Sequence, residues 1–301
     1  MGRALMTTNA LATLIAEIEA DPSLEEPGRL LQRIDVLDRL EADLPDVRSA
    51  DPHAASIDLA LCERARDVRA RLEGANRAVY RSIRCGIRCG SGATPLVGWA
   101  EKHRAAGDVT TPVHGEHYDS LDVLVGGVLR LSPPGPAVGE LDQEMVPYQP
   151  TPARHIFDLM DRVGLTEHDV LVDLGSGLGH VPLLVSICTD AEAVGVELQP
   201  AYVESARRCA RTLNLSRAAF LQQDARETDL SAGTVFYLFT PFIGGMLRSV
   251  LDSLHVQAAS RAIRVCTLGP CTPMVAEEPW LKTEDAPVTD RIAIFGSRGR
   301  A

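Results

Sequence analysis

The chain has 301 residues, 45% of them hydrophobic and 24% charged, which is typical of a globular protein with one large or two ordinary domains. Its formal net charge of -11 argues against broad binding to nucleic acid or to anionic membranes, because phosphate contacts need clustered lysine and arginine. No apolar run is long enough to span a bilayer and no secretory signal is recognisable, so we expect a cytoplasmic protein with reduced cysteines.

The first part of the chain has the periodicity of helices. Apolar residues recur every three or four positions at residues 11–18, 30–40 and 57–79. Glycine, proline, histidine and serine accumulate between residues 86 and 139, which predicts a connector with one short helix at residues 121–128. We therefore expect an all-helical N-terminal domain with its connector over residues 1–145, covering a substrate pocket. These helices could also pair with a second chain as a homodimer.

From residue 146 to residue 301 the pattern changes to strands that alternate with helices. Strands are predicted at residues 170–174, 193–198, 219–222, 234–239, 263–268 and 291–295. Helices are predicted at residues 156–163, 181–187, 202–213 and 246–254. This alternation indicates an α/β domain with a doubly wound, mostly parallel sheet.

The segment VLVDLGSGLGHV, residues 170–181, places a glycine-rich loop directly after the first of these strands. A dinucleotide fingerprint reads G-x-G-x-x-G, whereas here Gly175, Gly177 and Gly179 alternate and Asp173 precedes them. A carboxylate at that position would repel a pyrophosphate, but it suits S-adenosylmethionine (SAM), which carries an ammonium group and a positive sulfur. The loop therefore favours SAM over a dinucleotide.

Two further acids follow at the ends of the next strands. Glu197 lies about 20 residues after the loop, where an acid accepts hydrogen bonds from ribose hydroxyls. Asp224, in FLQQDA, is placed to accept from an adenine amino group, although each acid alone could be a turn residue. The predicted cofactor-binding residues are Tyr148, Thr151, Asp173, Gly175, Ser176, Gly177, Gly179, Glu197, Asp224, Ala225 and Thr240.

With these motifs the chain resembles the class I SAM-dependent methyltransferases from about Tyr148 onward. The stretch YQPT followed by LTEHDVLVDLGSGLGHVPLLVS resembles one branch, the histone-lysine methyltransferases that use this fold rather than a SET domain. The resemblance implies a seven-stranded sheet with one antiparallel strand near its edge. It also implies that Tyr148 and Thr151 lie over the methionine end of SAM, with Thr151 at its carboxylate.

The same resemblance breaks down beyond the cofactor motifs. The asparagine-rich segment that follows the fourth strand in that branch is replaced here by LFTPF, and no basic nucleic-acid-binding tail follows. A histone substrate is therefore not supported by the sequence.

Two segments supply the candidate catalytic residues. Thr240 and Phe242 stand in the loop after the fourth strand, which normally faces the reactive methyl group. His117 and Tyr118 belong to HGEHYD, residues 114–119, which could supply a base or line the substrate. No metal site is predicted, because this loop lacks a second ligand cluster and the pairs Cys85/Cys89 and Cys266/Cys271 have unusual spacing.

These observations predict a methyltransferase that acts at a nitrogen or oxygen of a small molecule. The same motifs are compatible with a cyclase for which SAM itself is the substrate, giving methylthioadenosine and azetidine-2-carboxylate, since glycine loops do not separate the two. They are also compatible with a protein methyltransferase and with a SAM-binding protein without catalysis. No nucleic-acid or membrane partner is expected.

Overall fold

A computed structural model describes residues 2–43, 59–91, 93–106, 113–131, 143–283 and 285–297. The chain divides into two compact units, Met1–Ile83 and Arg84–Ala301. The sequence places a domain boundary at residue 145, which lies inside the second unit. The described helices between residue 84 and this boundary belong to the second unit, because they pack on helices of the sheet domain.

The first unit is helical. Its elements are α1 (Gly2–Ala20), two short 3-10 turns, α2 (Leu30–Asp43) and most of α3 (Leu59–Arg88), whose residues from Arg84 onward belong to the second unit. Apolar side chains from these three helices form one core, which includes Ile15, Leu40 and Leu72. Arg33 is fully buried in this unit, where its guanidinium donates to the side-chain oxygen of Asn76 and to two backbone carbonyls. These acceptors offset the cost of burying the charge.

Two helices lie where the sequence predicted one. The expected short helix is present as α5 (Ser120–Leu129), but α4 (Ala93–Ala106) was missed and the prediction of a connector with a single helix is wrong. The reason is visible in its sequence, because α4 contains Pro95 and Gly98 and buries few apolar side chains. A helix with so narrow an apolar face gives little periodic signal.

The second unit is built on one seven-stranded sheet. Its strands are β1 (Val170–Leu174), β2 (Glu192–Glu197), β3 (Ala218–Gln222), β4 (Val235–Phe239), β5 (Arg264–Leu268), β6 (Leu281–Lys282) and β7 (Ala293–Ser297). The spatial order is β3-β2-β1-β4-β5-β7-β6. The first five strands are parallel, whereas β7 runs antiparallel to β5 and to β6. The predicted α/β fold class is therefore confirmed.

The helices of this sheet domain are α6 (Ala153–Val163), α7 (His180–Cys188), α8 (Pro200–Leu213), α9 (Gly244–Ser260) and α10 (Thr272–Ala276). Apolar side chains from the sheet and from α9 form a core that includes Phe236, Leu251 and Phe295. Because the parallel strands all end at one edge of the sheet, the loops after β1 to β4 meet there. In the described part of the chain, no helix is long and apolar enough to cross a membrane.

Candidate active site

A cavity of about 360 Å³ lies at the carboxyl ends of the parallel strands. Its walls come from the glycine loop after β1, from the loops after β2, β3 and β4, and from the strap, our name for residues 143–151 that lead into α6. Nine predicted cofactor-binding residues line it: Tyr148, Thr151, Asp173, Gly175, Ser176, Glu197, Asp224, Ala225 and Thr240. This is the edge of an open α/β sheet at which ligands bind.

The glycines of the loop allow close contact with other segments. A Cβ atom at Gly175 would lie 2.2 Å from Cβ of Pro241, and one at Gly177 would lie 2.1 Å from the ring of Tyr148. Both have a positive φ, 86° and 52°, which a larger residue adopts only with strain. Gly177 and Gly179 do not line the cavity, and Gly179 instead packs against Phe220.

Asp173 is the most deeply buried acid of the site. It lies on β1 next to Glu197 on β2, is 4% exposed, and lines the cavity. Burial raises the pKa of Asp173 well above its usual range, and the neighbouring Glu197 adds to the rise. A bound cation would offset both effects. Asp173 is thus suited to hold the ammonium group of SAM.

Glu197 is held by the backbone around it. Its Oε2 accepts from the Gly177 N–H at 2.9 Å, and its Oε1 accepts from the Gln199 N–H at 2.7 Å. Burial raises the pKa of Glu197, and these two N–H donors oppose that rise. Each oxygen keeps a lone pair for another donor, so the carboxylate can accept from ribose hydroxyls.

Asp224 and Ala225 lie at the cavity after β3, as predicted, but Asp224 has a partner within the chain. Its two oxygens accept from the guanidinium of Arg226, and Oδ1 also accepts from the Arg226 N–H at 2.8 Å. These hydrogen bonds lower the pKa of Asp224. A contact of Asp224 with an adenine amino group therefore has to share this carboxylate with Arg226 and stays a prediction.

The strap runs beside the loop after β4. Met145 and Phe242 form an antiparallel bridge, and the Val146 N–H donates to the Pro241 carbonyl at 3.1 Å. The Glu144 carboxylate accepts from the N–H groups of Gly245 and Met246 at the start of α9. The strap is therefore attached to the sheet domain at the end where the methyl group of SAM is expected.

Tyr148 and Thr151 are the strap residues that contact the glycine loop and the sheet at the cofactor pocket. The ring of Tyr148 packs on Gly177, lies 5.0 Å from the ring of Tyr202, and has its hydroxyl 3.3 Å from Nδ1 of His180. The Thr151 hydroxyl lies 3.0 Å from the hydroxyl of the buried Tyr237. Both predicted residues thus line the pocket through contacts with the loop and the sheet.

Thr240 lines the cavity, but its hydroxyl serves the backbone. Its Oγ1 donates to the Leu268 carbonyl and accepts from the Cys271 N–H, both at 3.0 Å. These bonds hold Thr240 at a φ of 40°, which is strained for a β-branched residue. The hydroxyl of Thr240 therefore supports the backbone. Phe242, which is 4% exposed, contributes both to the core and to the cavity wall.

One residue of the segment HGEHYD lines the cavity, but it is not one of the two residues predicted from the sequence. Glu116 lines the cavity, whereas the predicted His117 and Tyr118 do not. His117 is exposed beside Arg154, and the Tyr118 hydroxyl donates to the Pro150 carbonyl at 2.9 Å. Neither side chain lines the cavity, because His117 lies against the guanidinium of Arg154 and the Tyr118 hydroxyl is bonded to the strap.

His180 is a second lining residue that sequence reasoning missed. It begins α7 directly after the glycine loop, and burial lowers its pKa to about 4, so it is neutral at physiological pH. Its position next to the motif was the available signal. Among the described residues no group of three or more His, Cys, Asp or Glu could hold a metal ion.

Ser176 lines the cavity, but its hydroxyl is packed against the sheet. The Oγ is removed from water, makes no hydrogen bond to described residues, and would lie 2.6 Å from a Cβ atom at Gly195. The groups that fit SAM are therefore the buried Asp173 carboxyl and the acceptor oxygens of Glu197.

Comparison with known proteins supports the same class. Residues 146–236, under a third of the chain, match the family model described as Histone methylation protein DOT1. A search of the curated proteins found no match. The seven-stranded sheet, the glycine loop and the family match define a class I, Rossmann-like SAM-dependent methyltransferase whose cofactor is SAM.

The matched part contains the strap from residue 146 onward, the glycine loop and the first three strands, and it ends within β4; it is similar to the histone-methylating branch of that class. Among solved structures, the chain is similar to an RNA methyltransferase from Salinibacter ruber, crystallised with S-adenosyl-L-homocysteine (25% identity, 50% of this chain, 92% of that chain, TM-score 0.40). It is also similar to a precorrin-6y C5,15-methyltransferase from Geobacter metallireducens (15% identity, 54% and 94%, TM-score 0.41). Likeness at this level says nothing about the acceptor.

Proposed function

We propose that the chain transfers the methyl group of SAM to a nitrogen or oxygen of a small molecule. The observation that carries this proposal is the bridge between Met145 and Phe242, which joins the strap to the loop after β4. The strap thereby forms one side of the cavity of about 360 Å³, a size typical of sites for small ligands.

SAM supplies an electrophilic methyl group on a positively charged sulfur. Asp173 would hold the ammonium group and Glu197 the ribose, so that the methionine end lies toward the strap. The wall there includes the apolar side chains of Met145, Phe242 and Met246. Such a wall excludes water and aligns an acceptor for in-line attack, which is the main requirement of methyl transfer.

The test compares two acceptor pools. The purified protein is incubated with SAM and either the low-molecular-weight or the macromolecular fraction of one cell extract, and S-adenosylhomocysteine is measured by mass spectrometry. We expect it with the low-molecular-weight fraction and not with the Asp173→Asn variant. Product only with the macromolecular fraction would instead support the protein methyltransferase to which the DOT1 match points.

A SAM cyclase is the second candidate, and one observation favours it. The amine of SAM must lose its proton before its nitrogen attacks the γ-carbon and methylthioadenosine leaves. Asp173 lies where that ammonium is expected, and because burial raises its pKa it is a stronger base than an ordinary carboxylate. Incubation with SAM alone separates the two functions: methylthioadenosine formed in proportion to the protein supports the cyclase, and its absence supports transfer to an acceptor.

A further inference from the structure

One carboxylate in the cavity has no role in the function proposed so far. Glu116 lines the cavity together with residues of the strap. Its side chain is exposed and forms no hydrogen bond or ion pair with the described residues. It is therefore open to a ligand in the cavity.

The backbone on both sides of Glu116 is anchored. The Gly115 carbonyl accepts from the guanidinium of Arg154 and, at 2.7 Å, from Nε2 of His155, and the Gly115 N–H donates to the Asp290 carbonyl. Arg154 also donates to the carbonyl of His117. Burial lowers the pKa of His155, which keeps its ring neutral. Three residues thus hold Glu116 in place without using its carboxylate.

The position of Glu116 is on the strap side of the cavity rather than on the adenine side. Tyr118, two residues on, donates to the carbonyl of Pro150 in the strap. The other three acids of the cavity have other roles, because Asp173 and Glu197 are assigned to SAM and Asp224 is paired with Arg226. No lysine or arginine occurs among the described residues that line the cavity.

We propose that Glu116 recognises a positively charged group on the acceptor, so that the small-molecule substrate is an organic cation. This inference rests on the proposed function and specifies its substrate class. Glu116 contributes by binding, and the anchored backbone on either side reduces the backbone entropy that binding would otherwise cost. Because the carboxylate is exposed, its ion pair with a cation is worth about threefold in affinity over a neutral partner.

The test uses two probes of nearly equal shape, benzylamine and benzyl alcohol, titrated by calorimetry into the complex of the protein with S-adenosylhomocysteine. We expect the wild-type complex to bind benzylamine about threefold more tightly, and this preference to fall as salt is added. Glu116→Gln should abolish the preference. The matched control is Glu101→Gln, an exposed acid of α4 that does not line the cavity, which should keep it.

Three outcomes would overturn the proposal: no preference for benzylamine in the wild type, an unchanged preference in Glu116→Gln, or weaker binding of S-adenosylhomocysteine by Glu116→Gln. The last outcome would place Glu116 in the cofactor site. Because these titrations measure binding to a product complex, they can fail while methyl transfer is still observed. Failure of the proposed function itself would appear separately, as methylthioadenosine from SAM alone.

Discussion

The two walls of the cavity differ in how the chain builds them. The cofactor wall comes from the glycine loop and the ends of β1 to β3, within about 55 consecutive residues; Asp173 and Glu197 are buried in it, and nearby backbone N–H groups hold Glu197. The acceptor wall combines the strap, the loop after β4 and the segment at Glu116, which are distant in sequence. The first wall is defined by backbone conformation, and the second by contacts between segments.

The largest effect is expected from a substitution at Gly177, where the glycine loop of the cofactor wall contacts the strap of the acceptor wall. In Gly177→Ala the new methyl group would collide with the Tyr148 ring, so the strap must move. We expect the affinity for SAM, measured by calorimetry, to fall about 100-fold.

Gly164→Ala is the matched control for that substitution. Gly164 also has a positive φ, 62°, but nothing lies near its would-be Cβ. Gly164→Ala should therefore lose about 1–2 kcal/mol of stability through backbone strain alone, and its affinity for SAM should not change. Equal loss of affinity in both variants would show that strain, and not contact with the strap, explains the effect.

A slightly smaller effect is expected at the buried acid of the cofactor wall. Asp173→Asn should weaken SAM binding about 30-fold, because it removes a charge-assisted contact. The same variant should be more stable than the wild type without SAM, with a melting temperature at least about 2 °C higher, equivalent to about 1 kcal/mol. Asp67→Asn, at an exposed site on α3, should change neither quantity.

This gain in stability should depend on pH. The folded-state pKa of Asp173 is raised, so the folded protein binds the proton more tightly than the unfolded chain does. Stability of the wild type therefore falls as pH rises from the unfolded to the folded pKa, and the advantage of Asp173→Asn grows over that window. Thermal melts along a pH series would contradict the account if the difference between the two proteins shrank with rising pH.

A moderate effect is expected where the strap meets the glycine loop. Tyr148→Phe keeps the ring on Gly177 but removes the hydroxyl that contacts His180. Loss of one hydrogen bond of about 1 kcal/mol should weaken SAM binding about fivefold in the same titration. Tyr80→Phe is the control, because its hydroxyl makes no hydrogen bond to described residues and Tyr80 does not line the cavity; a loss as large there would argue against the contact with His180.

The smallest effect is expected at Thr240. If its hydroxyl only supports the backbone, Thr240→Ser should keep both hydrogen bonds and change turnover less than about twofold. Thr240→Val, which leaves the Cys271 N–H without its acceptor, should cost about 1–3 kcal/mol in a denaturant titration. A large loss of turnover in Thr240→Ser at unchanged stability would restore a catalytic role for the hydroxyl.

Sequence reasoning worked best where one segment defines the structure. Asp173, the alternating glycines and Glu197 are recognisable because their conformation and chemistry are set by a single strand–loop–helix unit. The sheet followed for the same reason, since alternating strands and helices leave few topologies, although the two-residue β6 was too short to detect.

Sequence reasoning failed where contacts between residues distant in the chain determine which side chains line the site. The motif HGEHYD suggested His117 and Tyr118. Instead, hydrogen bonds from Arg154 and His155 to the Gly115 carbonyl hold the neighbouring Glu116 at the cavity. That contact joins residues about 40 positions apart, and no local pattern encodes it. Similarly, nothing in LFTPF shows that the hydroxyl of Thr240 is engaged by the loop after β5.

The central claim is that Asp173 holds the cation of SAM. The most direct measurement is a calorimetric titration of SAM into the wild-type protein in two buffers of different ionisation enthalpy, from about pH 5 to about pH 8. The account predicts binding at one site with net release of protons, because the raised pKa of Asp173 falls when the cation arrives. Binding without proton release, unchanged in Asp173→Asn, would contradict it.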